Sequence, residues 1–170
     1  LTWEHHKNAE RQDFVKIMMS GNINPKFYAI FLWNLHAKYD LLEALADANG
    51  CLNDLPDIKR KSKIADDFSH LWGENPNGEM PETLPSTKAY IEHMRHIMHD
   101  PEKIMAHIYV FHMGDLSGGQ MISKKVPGLG KMFQFSTDVD NLKTVIRSKI
   151  NDDMAEEARW AFESATHLFK

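Results

Sequence analysis

Three glycines and an aspartate in the segment YVFHMGDLSGGQMISKK, residues 109–125, have types and spacing that could serve chemistry. A glycine inside a helix costs about 1 kcal/mol relative to alanine, so Gly114, Gly118 and Gly119 together give up roughly 3 kcal/mol of helix propensity. Gly114 and Gly118 are four residues apart and share one helix face, where the missing side chains leave bare backbone. The pattern predicts a helix against which a large flat ligand lies. Taken alone, Asp115 would be a helix-kink or capping residue.

Histidines supply the second set of candidates, because the chain has ten of them. In EHHKNAE, Glu10 follows His6 by one helical turn, so its carboxylate can orient the imidazole as it does for a metal-ligating histidine. On spacing alone, an ordinary surface pair remains the alternative. His93, His96 and His99 form a row that drifts around its helix and lacks carboxylates at matching spacing on a second helix. We expect these three to lie on a solvated face.

Two cations, Lys143 and Arg147, lie four residues apart in NLKTVIRSK and therefore on one helix face. Such a pair suits the carboxylates of a ligand, since arginine binds a carboxylate bidentately and lysine supplies a point charge. Without further context, a solvated helix face is the alternative.

The elements that must position these residues are helices, because helical periodicity dominates and β-branched alternation is almost absent. The predicted fold class is all-α, with six or seven helices. Asn24 before Pro25 is a good helix start with Gly50 as its stop, and Asp100 before Pro101 starts the glycine-bearing helix. We expect the remaining helices over residues 2–19, 57–73 and 86–99, with one or two more in 138–170.

Composition limits the class of protein. The 170 residues, 42% of them hydrophobic, predict a single domain over residues 1–170. A net charge of -4 gives no general reason to expect nucleic acid binding. Cys51 is the only cysteine, which excludes disulfides within the chain and multi-cysteine metal sites. No apolar run reaches 18 residues, so we expect a soluble protein of a reducing compartment rather than a membrane protein.

The motif GDLSGGQ resembles the distal-helix signature of the heme oxygenases, and EHHKNAE resembles the proximal-histidine segment of that family. Further stretches follow in the family's order and approximate spacing, so the resemblance covers most of the chain: Phe27 with His36, DFSHLWG, Pro85 with Tyr90, LKTVIRSKIN and AFESATHLF. It implies a helical bundle in which heme is sandwiched between a proximal helix and a distal helix kinked at its glycines.

The resemblance assigns roles to the candidate residues. His6, rather than His5, would ligate the heme iron with Glu10 as its partner. Gly114 and Gly118 would let the distal helix approach the heme, and Gly119 would help that helix flex. Asp115 would hold a water network that delivers protons to dioxygen. The remaining residues implied in heme binding are Tyr109, Lys143 and Arg147 at the propionates and, as apolar wall, Phe162 and Phe169 together with Phe14, Met18 and Met113.

Three positions depart from the family's pattern. Trp3 stands where an early lysine near the propionates is expected. An aromatic hydroxyl expected on the second helix falls at Lys38, with Tyr39 adjacent, and Phe111 replaces a commonly basic residue. These departures affect the expected water network around Asp115.

The implied activity is oxidative cleavage of heme at a meso carbon, expected to be the alpha carbon, to biliverdin, carbon monoxide and ferrous iron. Heme b would be both substrate and oxygen-activating cofactor. The sequence carries no redox cofactor motif, so electrons would come from a partner such as reduced ferredoxin. Lys124 and Lys125 could face that acidic protein, although an ordinary solvated helix end is an equal alternative. We expect a monomer in the cytoplasm or the plastid stroma.

Two other functions remain as alternatives. A heme-storage protein would keep His6 and perform no chemistry. A nonheme diiron oxidase would need several carboxylates and histidines converging from different helices, and no such set can be assembled from the sequence without discarding GDLSGGQ.

Overall fold

The computed structural model describes residues 13–73 and 78–167, and every regular element within those ranges is helical. Two 3-10 helices, Lys131–Phe133 and Asp152–Met154, accompany seven α-helices. The α-helices are α1 Asp13–Met19, α2 Pro25–Ala48, α3 Lys61–Trp72, α4 Pro85–His96, α5 Pro101–Ile122, α6 Val139–Lys149 and α7 Ala155–Thr166. The predicted all-α class is confirmed, while residues 2–12 of the predicted first helix lie outside the described residues.

The two long helices begin where the sequence predicts. The Asn24 side chain accepts hydrogen bonds from the backbone amides of Lys26 and Phe27, and Pro25 occupies the first turn. The Asp100 side chain accepts from the amide of Lys103 in the same way, ahead of Pro101. In both cases the cap and the helix are contiguous in sequence, which makes the signal readable.

Helix α3 begins at Lys61, four residues later than predicted. Asp57 has a backbone φ of 61°, in the left-handed region, so a right-handed helix cannot start there. Arg60 is completely buried and its guanidinium donates to backbone carbonyls, including that of Gln134 at 2.6 Å. The stretch before α3 is therefore an irregular segment held by tertiary contacts.

Helices α2 and α5 form the centre of the described part of the chain. Helix α2 packs against α3, α4 and α5, and α5 packs in turn against α6 and α7. Their buried residues, among them Leu32 and Leu42 on α2 and Ile104 and Ile108 on α5, belong to one continuous hydrophobic cluster. Among the described helices, none is long and apolar enough to cross a membrane.

Candidate active site

Helix α5 runs without interruption through the three glycines, and two of them have no other described element packed against them. A Cβ atom placed on Gly114 would have no atom of the described residues within 4 Å. One placed on Gly118 would meet Ile122 Cδ1, at 3.6 Å on the same helix, and no other atom in the described ranges. This face of α5 is therefore bare backbone that a flat molecule could approach closely.

Gly119 is needed for a different reason. It is buried, and a Cβ atom there would lie 2.8 Å from Phe133 Cδ1, closer than real Cβ contacts come. The missing side chain lets the 3-10 helix Lys131–Phe133 pack directly on α5. The predicted contribution of Gly119 to ligand binding stays a prediction beside this packing role.

Asp115 lies next to the open face and is held by a hydrogen bond from another helix. The Tyr39 hydroxyl on α2 donates to Asp115 Oδ2 at 2.6 Å. Burial raises the pKa of Asp115 to about 6, and His112, the Tyr39 hydrogen bond and Arg60 only partly offset that effect. A carboxyl group with this pKa can gain or lose a proton near neutral pH.

A buried histidine–glutamate pair lies behind Tyr39. The Tyr39 ring lies 4.9 Å, centroid to centroid, from the ring of His112, whose Nε2 is 2.8 Å from Glu43 Oε2. Glu43 also accepts hydrogen bonds from the backbone amides of Arg60 at 2.6 Å and Lys61 at 3.0 Å. The orientation of Tyr39, and through it of Asp115, is therefore fixed by contacts among α2, α5 and the start of α3.

The aromatic hydroxyl that the family pattern places at Lys38 is supplied by the next residue, Tyr39. Tyr39, not Lys38, directs its side chain to Asp115, whereas Lys38 is buried with Nζ 5.4 Å from the centroid of the Tyr90 ring. Sequence reasoning named Tyr39 only as the neighbour of Lys38 and missed Glu43 and His112 as supporting residues. The available signal was the four-residue spacing of Tyr39 and Glu43, which places a hydroxyl and a carboxylate on one face of α2.

The predicted cations lie on α6, which packs against α5. Lys143 is half-buried and Arg147 is exposed. Neither forms an ion pair with any residue that the structure describes. Tyr109, the third residue predicted at this edge, is half-buried on α5.

Of the predicted apolar wall, Phe162 is buried on α7 and Met18 is buried on α1. Met113 is buried on α5. The predicted iron ligand His6, its partner Glu10 and the wall residue Phe169 lie outside the described residues.

The expectation that the histidine row is solvated is wrong for His93. His96 and His99 are exposed as expected, whereas His93 Nε2 lies 2.5 Å from Glu157 Oε1 on α7. The carboxylate comes from a residue 64 positions later in the chain, so periodicity within one helix could not reveal it.

A family model for heme oxygenase matches residues 1–170, and the chain therefore belongs to the heme oxygenase family. Heme oxygenase 2 of Macaca fascicularis is 31% identical over an alignment of 198 positions, gaps included, which covers 99% of this chain and 61% of that protein. The chain thus spans about three fifths of the length of the mammalian relatives it matches.

Solved structures agree with this assignment. The heme oxygenase of Leptospira interrogans superposes with a TM-score of 0.83 at 28% identity, covering 99% of this chain and 94% of that one. Heme oxygenase-1 from the cyanobacterium Synechocystis sp. PCC6803, solved in complex with heme, gives a TM-score of 0.86 at 26% identity and coverages of 99% and 86%. The predicted helical bundle is confirmed by these similarities.

Proposed function

We propose that this chain binds heme b against α5 and cleaves it with dioxygen at a meso carbon to biliverdin, carbon monoxide and ferrous iron. The observation that carries the proposal is the bare backbone at Gly114 and Gly118, directly beside an Asp115 that Tyr39 holds in place. A porphyrin is flat and wide, so a helix that approaches it face-on must lack side chains there. A proton-handling group beside that face suits a reaction on the ring itself.

The residues present fit heme on the side that the structure describes. Gly114 and Gly118 leave room for the ring on the described side, and Lys143 and Arg147, which form no ion pair with the described residues, suit its propionates. Bound heme supplies an iron that activates dioxygen, while its porphyrin is the substrate. The further residues in this proposal are His6 as iron ligand with Glu10 beside it, Tyr109 at the propionate edge, Phe162 and Phe169 as apolar wall, and Gly119 as a point of flexibility.

The contribution of Asp115 is to hold water and move protons. Because Tyr39 occupies Oδ2, Oδ1 is left to accept a hydrogen bond from water, and no described residue donates to it. With a pKa of about 6, Asp115 can exchange a proton with that water near neutral pH. Phe111, where the family pattern commonly has a basic residue, is buried and adds no charge, so Asp115 is the principal proton-handling group of this site.

Electrons must come from outside, and we propose reduced ferredoxin, a small acidic protein, as the donor. Lys124 and Lys125 are exposed directly after the end of α5 and provide positive charge next to the heme helix. In this proposal Lys143 and Arg147 also fix which meso carbon faces dioxygen, favouring the alpha carbon, and residues 1–170 work as one domain and as a monomer.

The test is to add hemin to the purified chain, then a ferredoxin reducing system and air, and to follow the Soret band and identify any bilin. We expect loss of the Soret band with formation of one main biliverdin isomer. A complex that forms but keeps its heme intact under these conditions would support the heme-storage alternative and overturn the proposal. His6→Ala should change the ferric spectrum while His5→Ala does not, and replacing Lys143 and Arg147 together should mix the isomers.

A further inference from the structure

A second group of titratable side chains lies at the part of α5 that precedes the glycines. His107 on α5, His93 on α4 and Glu157 on α7 direct their side chains at one another. Glu157 Oε1 is 2.7 Å from His107 Nε2 and 2.5 Å from His93 Nε2. The heme proposal makes no use of this cluster, which three separate helices build.

We propose that His93, His107 and Glu157 form a binding site for a divalent transition-metal ion. One ligand atom from each residue lies within 4.8 Å of the other two. In a tetrahedral site with bonds of about 2.0–2.1 Å, ligand atoms lie about 3.3 Å apart. To admit an ion, the distances from Glu157 Oε1 to His107 Nε2 and to His93 Nε2 would each have to increase by less than about 1 Å. Rotation of the side chains can supply an increase of this size.

The surroundings of His107 and Glu157 shift their pKa values in the directions that favour binding of a cation. Burial lowers the pKa of His107 and so disfavours its positively charged form. Although burial acts in the opposite direction, the hydrogen bonds from His107 and His93 hold the pKa of Glu157 below its usual range. An ion bound at Nε2 of either histidine would displace the hydrogen that this nitrogen donates to Glu157, so metal binding is coupled to movement of those protons.

Neighbouring side chains orient the two histidines. The Tyr90 hydroxyl lies 2.9 Å from His107 Nδ1, so Nε2 is the nitrogen directed at Glu157. The ring of Trp160 stacks on His93 with centroids 3.5 Å apart and fixes the plane of that imidazole. An outer contact that fixes the ring orientation of a ligand is a regular feature of metal sites.

The donor set selects the class of metal. Two imidazole nitrogens and one carboxylate oxygen suit zinc, cobalt or ferrous iron, whereas magnesium and calcium prefer sites made of oxygen alone. His107 is fully buried while the side chains of Glu157 and His93 are 12% and 24% exposed, so an ion can enter from the His93 side. Solvent water would complete the coordination.

The test uses the full chain without added heme, titrated with Co²⁺ and followed by visible absorption and calorimetry. We expect one Co²⁺ ion per chain at this site, displaced by Zn²⁺ and unaffected by millimolar Mg²⁺. His93→Ala should weaken Co²⁺ binding by about tenfold or more, because one ligand of three is removed. Tyr90→Phe should weaken it by a smaller factor through the lost contact with His107.

His96→Ala is the matched control, since His96 lies on the same helix with a side chain that is 74% exposed and outside the cluster. Binding to any other histidine, including His5 and His6, is common to both variants and cancels in the comparison. Glu157→Gln provides a second test that keeps the side-chain shape. The proposal is overturned if His93→Ala and folded Glu157→Gln bind Co²⁺ as tightly as the parent. Heme turnover is not measured, so neither outcome depends on the heme proposal.

Discussion

Helix α5 contributes a histidine to each of two histidine–glutamate pairs. The two pairs differ in the other groups that donate hydrogen bonds to the glutamate. Glu43, only 1% exposed, accepts from His112 and from two backbone amides at the start of α3. Glu157, 12% exposed, is bonded to two histidine side chains. A carboxylate that caps a helix is committed to the fold, whereas one held by imidazoles can exchange those contacts for an ion. Under the metal-site proposal, the same pair of residue types serves structure in one region and ion binding in the other.

The largest effect should come from removing the charge of Glu43. Glu43→Gln presents an amide NH₂ group to donors that need an acceptor, and it should lower the free energy of unfolding by about 3–5 kcal/mol, because several buried donors lose a charged acceptor. Glu157→Gln should cost about 1 kcal/mol, since its contacts are fewer and partly exposed. Urea unfolding of the heme-free chain measures both. Equal losses would contradict the distinction between the two glutamates.

Titration of Asp115, whose partner Tyr39 packs against the His112–Glu43 pair, should change the free energy of unfolding with pH. Its pKa of about 6 in the folded chain lies above its ordinary value of 3.8, so the folded state binds more protons than the unfolded state between these pH values. The parent should therefore lose stability as the pH rises from about 4 to 6, by at most about 3 kcal/mol at 1.36 kcal/mol per pKa unit.

Asp115→Asn cannot titrate and is the comparison for that experiment. Its free energy of unfolding relative to the parent should rise through pH 4–6 and level off above pH 7. A difference that stays constant over this range would show that Asp115 keeps an ordinary pKa.

Turnover should depend on Asp115 as well. Asp115→Ala should still bind heme while biliverdin formation falls by about 100-fold, at the lower end of what a positioned acid or base contributes. Ser117→Ala, on the same helix and exposed, is the matched control and should keep the parent rate. Single-turnover absorbance with a reducing system and air measures both variants. Parent-like turnover of Asp115→Ala would remove the catalytic role from this part of α5.

The smallest effects should separate the glycines. Gly114→Ala should stabilise the heme-free chain by up to about 1 kcal/mol, because a Cβ atom there meets none of the described residues and alanine is the better helix former. Gly119→Ala should destabilise it by about 1–3 kcal/mol through overlap with Phe133. Thermal unfolding decides the signs. Destabilisation by both substitutions would mean that the face at Gly114 is closed rather than open.

The parts of the molecule that could be predicted from sequence are those whose cause is local. The caps at Asn24 and Asp100 act on amides two or three residues away, and the shared face of Gly114 and Gly118 follows from helical spacing. The start of α3 could not be predicted, because its capping carboxylate, Glu43, lies 17 residues before Arg60.

The candidate site also has parts that depend on neighbouring residues in sequence and parts that depend on distant ones. The Asp115 and glycine cluster is contiguous in sequence, so its motif could be read directly. The partner of Asp115 is Tyr39, 76 positions earlier, and Glu157 is 64 positions beyond His93. Both contacts depend on how helices pack, and local periodicity carries no information about that.

The backbone of the connection between α5 and α6 forms hydrogen bonds with side chains of α3 and of the segment that precedes it. Asp67 accepts from the amides of residues 131 and 132, Arg60 donates to the carbonyls of residues 132 and 134, and Asp57 accepts from the amide of residue 136. One residue added or removed here would displace several of these groups at once. This loop is therefore a poor position for an inserted tag or for circular permutation, although it lies outside the α-helices.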